Sequence, residues 1–299
     1  MLNLDYLEKL IQTYRDEYKS RVAEFEVGGK FLNFNSKPVI MGVINLSPDS
    51  WYRESVCLTV DKAIKRGKIL FEQGADIIDI GAESTLLNAA RIDKFAQKTK
   101  LLPVLKELNE AKIPVSIESY NCSVISETLK SGASVINLTG TAGTEDIYRL
   151  VAEYNAAVII CYVEGKNVRE VQDFNIKNNP MNKMIDYFAK EIEKALNCGV
   201  RKIIVDPGLG FYYRNLQDSA IRVRHQINIF LNSFRFRKLG FPVCNALPHA
   251  FEYFGEEVRT AEPFFSVLAA LGKTDIFRTH EVPKIKAVLD TMSIFCDEG

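Results

Sequence analysis

Charge of one sign is what this sequence most lacks. Its 299 residues carry 38 Lys+Arg against 38 Asp+Glu, a formal net charge of zero. Without a basic field nothing draws the chain to a phosphate backbone, so no nucleic-acid partner is expected, although a local anion site stays open. No apolar run approaches the roughly 20 residues of a membrane span, so no membrane partner is expected either. The six cysteines stand at 57, 122, 161, 198, 244 and 296. No two are two or three positions apart, which removes the Cys-x-x-Cys metal and redox signatures. Most sit in apolar settings, as Cys161 does after Val158-Ile159-Ile160, the pattern of reduced buried thiols in a cytosolic protein. The three histidines show no His-x-His or His-x-x-x-His spacing, which argues against a zinc enzyme. Gly-x-Ser-x-Gly is missing and no Cys–His pair stands out, so acyl transfer is not suggested. The first residues have acids from Asp5 onward and no small-residue cleavage site. They read as something other than a signal peptide, and the expected location is cytoplasmic.

What is present is an ordinary globular composition, 47% hydrophobic and 25% charged, enough for a sizeable core. Leu4, Leu7, Leu10, Ile11, Tyr14, Tyr18 and Val22 recur at helical spacing, which predicts an amphipathic helix over residues 4–24. Residues 24–34 predict a short hairpin around Gly28-Gly29. From Lys37 onward one unit repeats. A helical pattern ends on Gly or Asn, and a short apolar run follows: QGAD before IIDI, SGAS before VINL, YNAA before VIIC, CGV before IIVD, Gly240 before FPVCN and GKTD before IFRTH. That is a helix C-cap followed by a strand. Adding residues 39–45 and 113–118 makes eight strands. Eight alternating units predict an α/β fold of (β/α)8 TIM-barrel type with an N-terminal helix and hairpin extension. An open doubly wound sheet would place a glycine-rich phosphate loop after its first strand, and NLSPDS is not one. No linker divides the chain, so residues 1–36 are read as the extension and 37–299 as the barrel.

In such barrels the active site lies at the C-terminal ends of the strands. Those ends carry Asn45, Gly81-Ala82-Glu83, Glu118, Asn137, Cys161-Tyr162, Asp206, Asn245, and Arg278 with His280. For any one of them a helix cap or loop hydrogen bond is the simpler explanation. Together they point to one polar mouth. Glu118, Asn137 and Asp206 could accept from a flat heterocycle with an exocyclic amine and ring N–H groups. In VDPGLGF, Pro207 and two glycines would hold Asp206 on a rigid loop. Strand alternation puts Arg278 and His280 on one side, as an anion site. Asn45 could add a neutral oxygen to a Mg2+ carried on a diphosphate. His225 and His249 are isolated and read as structural or surface residues.

These motifs resemble the conserved blocks of the dihydropteroate synthases. IMGVINLSPDSW is similar to the first block and GADIIDIGAEST to the second. IPVSIESY, SGASVINL, IIVDPGLGF and FRTHEV follow in the family's order, from about Lys37 to Met292. The resemblance implies a pterin-binding barrel that joins 6-hydroxymethyl-dihydropterin diphosphate to p-aminobenzoate, releasing diphosphate with Mg2+. It implies that Asn45 approaches the metal and diphosphate, and that Glu118, Asn137 and Asp206 hold the pterin edge. Arg278 and His280 would bind the leaving diphosphate, and Ser84 and Thr85 would lie near the second substrate. The barrier would fall as the departing anion is neutralised.

The departures from that pattern cluster. Glu118 stands where the family has Asp. After Glu83-Ser84-Thr85 the family's Arg-Pro-Gly is replaced by Leu86-Leu87-Asn88, and Phe211-Tyr212-Tyr213 follows the IIVDPGLG run. In CNALPHAFEYFG, Ala250 and Phe251 occupy the places of the family's Arg and Lys, and no Lys or Arg occurs between Lys238 and Arg259. His249 is a poor stand-in for an ammonium. Three readings follow: a dihydropteroate synthase-like transferase acting on a pterin or related heterocyclic diphosphate and an aryl amine; a non-catalytic ligand-binding paralogue; and a pterin-dependent methyltransferase barrel, which needs no diphosphate site. Arg278, His280 and SPDS favour the first. A homodimer through the apolar segment Phe264 to Leu268 is left open, since that segment could equally pack on the barrel.

Overall fold

The computed structural model describes residues 2–47, 56–84, 91–171, 173–174, 180–211, 213, 216, 218–248 and 250–295. The chain opens with two short helices, α1 (Leu4–Thr13) and α2 (Arg15–Lys19), and an antiparallel hairpin of β1 (Phe25–Val27) and β2 (Lys30–Leu32). The hairpin is where the sequence predicts it, but the long N-terminal helix is not continuous. It breaks at Tyr14 (φ −125°, ψ 43°) and ends at Lys19. Tertiary bonds explain the break. The Tyr14 ring lies 3.8 Å from the Arg235 guanidinium, and the Tyr18 ring packs edge-on against Phe234. Farther on, Asn35 ties down both backbone groups of Val22. These contacts outweigh the helical periodicity of the segment.

Eight strands then alternate with helices. They are β3 (Val39–Asn45), β4 (Ile77–Gly81), β5 (Val115–Ser119), β6 (Val135–Leu138), β7 (Ala157–Cys161), β8 (Lys202–Asp206), β9 (Cys244–Ala246) and β10 (Ile276–Thr279). All are parallel, in the order β8-β7-β6-β5-β4-β3-β10-β9. A parallel bridge between Val205 and Val243 closes the ring, so the sheet is a (β/α)8 barrel. Around it lie α3 (Val60–Glu72), α4 (Lys94–Glu110), α5 (Cys122–Lys130), α6 (Thr144–Glu153), α7 (Pro180–Asn197), α8 (Ser219–Asn232), α9 (Phe251–Phe254), α10 (Ala261–Leu271) and α11 (Val282–Ile294). Among the described residues no helix is long and apolar enough to cross a membrane. The predicted helix-to-strand turns have left-handed residues at Gly74, Gly132, Asn155, Gly199 and Gly240. Before β10 the left-handed residue is Lys273, not Gly272. Gly272 is required for another reason: a Cβ there would sit 1.8 Å from the Phe230 carbonyl oxygen.

The two faces of the strands build two cores. Outward residues such as Ile44, Ile78, Ile117, Ile136, Val158 and Phe277 pack under the helices. Inward residues, including Met41, Ile77, Val135, Ile159, Ile204 and Ile276, form a second cluster with Phe25, Val27, Leu32 and Phe34 from the N-terminal segment. The hairpin therefore plugs the N-terminal end of the barrel. Its turn comes so close that a Cβ on Gly28 would lie 2.8 Å from Pro114. Lys30 Nζ reaches Asp76 at 2.5 Å. With one end filled by apolar side chains, a polar site is confined to the other.

A buried ion pair fastens this arrangement. Arg237 meets Asp275 and also donates to the Ser20 carbonyl (3.3 Å) and to Asn35 Oδ1 (2.9 Å). Asp275 accepts the Val243 N–H at 2.8 Å, and burial pushes its carboxyl up to about 6 against the pull of Arg237. Removing one partner strands the other charge in a low-dielectric core. We expect Arg237→Ala to cost about 3–5 kcal/mol in urea unfolding at pH 8. The loss should be smaller at pH 5, where Asp275 is protonated. An equal loss at both pH values would show that the charge is not the cause.

Candidate active site

Alternation along the strands carries polar side chains into the upper barrel from six of the eight strands. Above the inward Ile77 comes Asp79, with Ser116 and Glu118 on β5, Asn137 on β6, Cys161 on β7, Asp206 on β8 and Arg278 on β10. Arg278 stands at the centre. Its Nε donates to Asp79 Oδ2 at 2.7 Å and its Nη2 to Glu118 Oε2 at 2.5 Å. Nη1 has no hydrogen-bond partner among the described residues. Asp79 is fully used: Oδ1 accepts from Ser116 (2.6 Å), and Oδ2 also accepts from Asn137 Nδ2 (3.2 Å). Asn137 in turn accepts from the Cys161 thiol at 3.2 Å. Asp206 Oδ1 accepts the Gly208 N–H at 2.7 Å. Gly208 has φ +73°, and a Cβ on it would meet the Tyr162 carbonyl at 2.3 Å, so only glycine lets the loop fold back to that carboxylate.

Acids outnumber bases on this floor. Asp79, Asn137 and Asp206 are buried, and the side chains of Glu118 and Arg278 are 10% and 17% exposed. Burial raises Glu118 to about 7, with Arg278 opposing and Asp79 and Asp206 adding to the rise. Burial likewise raises Asp206 to about 6, against the Gly208 N–H and Arg278. Burial works against the charge on Arg278, but Asp79 and Glu118 facing it outweigh that and hold its pKa above the usual value. The floor thus offers acceptors that only a proton or an incoming donor can satisfy.

The segment after β7 forms a strap over the mouth. Val163 and Val168 are buried against the interior cluster, with Tyr120, Val171 and Phe211 packed on it. Gly165 bridges Val171, Asn167 bridges Gly140, and Val168 N donates to the Thr139 carbonyl at 3.0 Å. Arg169 reaches across to the Ser84 carbonyl at 3.0 Å. Apolar side chains therefore roof a polar floor.

The structure brings Glu118, Asn137, Asp206 and Arg278 together in this layer and places Asp79, which sequence reasoning missed, among them. Its signal was available: an acid between Ile78 and Ile80, in step with the inward Ile77. Asn45 ends β3 beside Gly81, on the same alternation as the interior Met41. His280 follows β10, held by its backbone: its N–H donates to Glu262 Oε2 at 3.2 Å, and its carbonyl accepts from Arg66 at 3.5 Å. Ser84 is buried beneath the strap. Thr85, Tyr212, His249 and the side chain of Phe251 lie outside the described residues. Glu83 accepts from the Tyr120 hydroxyl at 2.7 Å.

Two expected rim residues face elsewhere. Asn245 points outward, donating to Ser233 Oγ (3.0 Å) and Thr274 Oγ1 (2.7 Å). Tyr162 packs among Phe174, Tyr187 and Phe188. His225 is buried against Phe174, and burial lowers it to about 4, as befits a structural histidine.

The raised acids give a pH signature. The folded state holds the Glu118 proton up to about 7, whereas a free glutamate loses it near 4.5. Between those values the native state binds more protons than the unfolded one, so stability falls as pH rises. Asp206 acts in the same direction up to about 6. Glu118→Gln should flatten the decline of Tm between pH 5 and 8. A wild-type Tm that climbs over that interval would contradict the assignment.

The family model for "Pterin binding enzyme" matches residues 41–244. Dihydropteroate synthase of Bacillus subtilis (strain 168) is 28% identical over 282 residues, covering 90% of this chain and 92% of that one. The Clostridium beijerinckii enzyme of the same name is 30% identical over 225 residues, covering 73% and 77%. The structure of Xanthomonas albilineans dihydropteroate synthase with 4-aminobenzoic acid superposes with a TM-score of 0.77 at 23% identity, covering 92% of this chain and 98% of that one. The order of motifs, the closed barrel and these similarities agree: the chain belongs to the dihydropteroate synthase family of pterin-binding enzymes.

Proposed function

We propose that this protein is a transferase joining a pterin methyl diphosphate, or that of a related heterocycle, to an aryl amine with release of diphosphate. The observation that carries the proposal is the acid-rich floor, where Glu118 and Asp206 keep acceptor capacity beside Arg278. A pterin edge offers ring N–H and amine donors in one plane, which suits acceptors placed deep under an apolar roof. In this reading Glu118, Asn137 and Asp206 hold that edge. Arg278 braces the floor through two nitrogens and turns Nη1 toward the substrate. His280 and Asn45 lie toward the diphosphate, and Ser84 and Thr85 toward the amine. The amine nitrogen attacks the methylene carbon, the carbon–oxygen bond breaks, its electron pair leaves with the diphosphate, and the amine gives up a proton. Cationic and hydrogen-bonding side chains lower the barrier by meeting charge as it develops on the leaving oxygen.

Mg2+ fits only as an ion carried by the diphosphate. Among the described residues no group of three or more His, Cys, Asp or Glu could hold a metal, and Asn45 offers one neutral oxygen. Bound there, the ion would neutralise the leaving group. The missing basic residues between Lys238 and Arg259 favour one other reading, a paralogue that binds a pterin without turnover. We also read residues 1–36 as an extension that plugs the barrel and 37–299 as the catalytic unit. Phe264 and Val267 are exposed while Phe265 and Leu268 are buried. The outer side of α10 is the face we assign to a homodimer, and a monomer in sedimentation velocity would remove that assignment.

Incubation with pterin diphosphate, an aryl amine and Mg2+ should release diphosphate. Binding of the pterin diphosphate without release would select the paralogue. Asp206→Asn should weaken bare pterin by about 1.5–3 kcal/mol, roughly 10- to 150-fold, in calorimetry. Asn45→Ala should weaken only the diphosphate form. Equal losses for both ligands in Asn45→Ala would reject the division of roles.

A further inference from the structure

The first turn of α10 carries a carboxyl group, Glu262, that is fully buried and unused by the chemistry above. It faces the tip of β10. Its Oε2 accepts the backbone N–H groups of His280 (3.2 Å) and Glu281 (3.3 Å), and the Thr279 hydroxyl donates to the same oxygen. Three consecutive residues at the end of the last strand thus converge on one oxygen from a neighbouring helix. On the other side, Arg66 of α3 donates to the His280 carbonyl. Glu281 is engaged separately, accepting Arg259 Nε at 2.6 Å with Lys284 3.6 Å away. The backbone of His280 is therefore gripped on both sides.

Such a grip does more than end a strand. Glu281 stands at the N-cap of α11, where its side chain makes no capping bond, its carboxylate being turned to Arg259. The N–H groups of His280 and Glu281 are served instead by Glu262, whose carboxyl burial raises to about 8, so at neutral pH it accepts them largely in its protonated form. Three bonds converging on one oxygen fix the direction of the backbone as well as its distance. The residue they fix stands two places beyond Arg278.

We propose that Glu262 is a positioning residue. By locking the backbone at Thr279, His280 and Glu281 it holds the His280 imidazole toward the mouth, where a diphosphate or similar polyphosphate anion is received. This rests on the function proposed above for His280, and the test separates the two.

The readouts are calorimetric binding of inorganic pyrophosphate with Mg2+, binding of bare pterin, and the His280 imidazole C–H resonance, assigned by comparison with His280→Asn among the three histidines. Glu262→Ala should weaken pyrophosphate about tenfold, the size of one hydrogen bond's contribution. It should shift the His280 resonance and leave bare pterin unchanged. Glu262→Gln, which keeps an acceptor oxygen, should restore most of the pyrophosphate affinity. Equal weakening of both ligands, or an unmoved His280 resonance, would overturn the proposal. If wild-type protein binds no pyrophosphate, the functional reading fails, and the resonance alone decides whether Glu262 orients His280. Should both Glu262 variants fail to fold, Thr279→Val removes one of the three donors and is read by the same measurements.

Discussion

Arg278 joins Asp79 and Glu118 across the top of the barrel, and the site takes its form from that pairing. Three carboxylates projecting into one buried layer would repel each other and lose hydration. One guanidinium with a fixed fork of donors offsets part of both costs, and does so directionally. It also couples the adjacent strands β4 and β5 to β10 across the intervening β3. Asp79 then spends its remaining capacity on Ser116 and Asn137, so the floor is a network and not a set of pairs. Its acceptors are left in surplus, which makes the layer costly when empty and receptive to a donor-rich heterocycle.

The rest of the molecule serves that layer by excluding water from around it. The N-terminal hairpin fills the far end with Phe25, Val27 and Leu32, and the strap after β7 covers the mouth with Val163 and Val168. Arg169 fastens the strap to Ser84, and Arg237 fastens the N-terminal segment to Asp275. A low-dielectric surround strengthens every charge interaction on the floor. The same surround raises Glu118 and Asp206 above their ordinary range.

Much of this was legible in the sequence, and the failures have physical causes. The strands could be found because a C-capping glycine or asparagine precedes most of them, and each apolar run is short. Lys112 and Lys273 do the same job with left-handed backbone and carry no compositional mark. The position of a residue along a strand was easier to infer than its face. Asn245 was expected at the rim because it ends an apolar run, yet a one-residue parity difference turns it out to Ser233 and Thr274. Asp79 was hidden by the opposite error, since it lies inside an apolar run and not at its end. The helix expected over residues 4–24 failed because Asn35 and Arg235, both distant in sequence, claim the segment. Glu262 could not be found from any local pattern, because its partners belong to the next strand.

The imbalance of the floor has a thermodynamic consequence for any molecule that lands there. A guest whose N–H groups replace the proton on Glu118 must discharge that proton to the medium, whereas a guest that brings an acceptor must recruit one. Uptake or discharge would appear as a heat that changes with the ionisation enthalpy of the buffer. The sign of that change reports whether the guest arrives as donor or acceptor, before its pose is known.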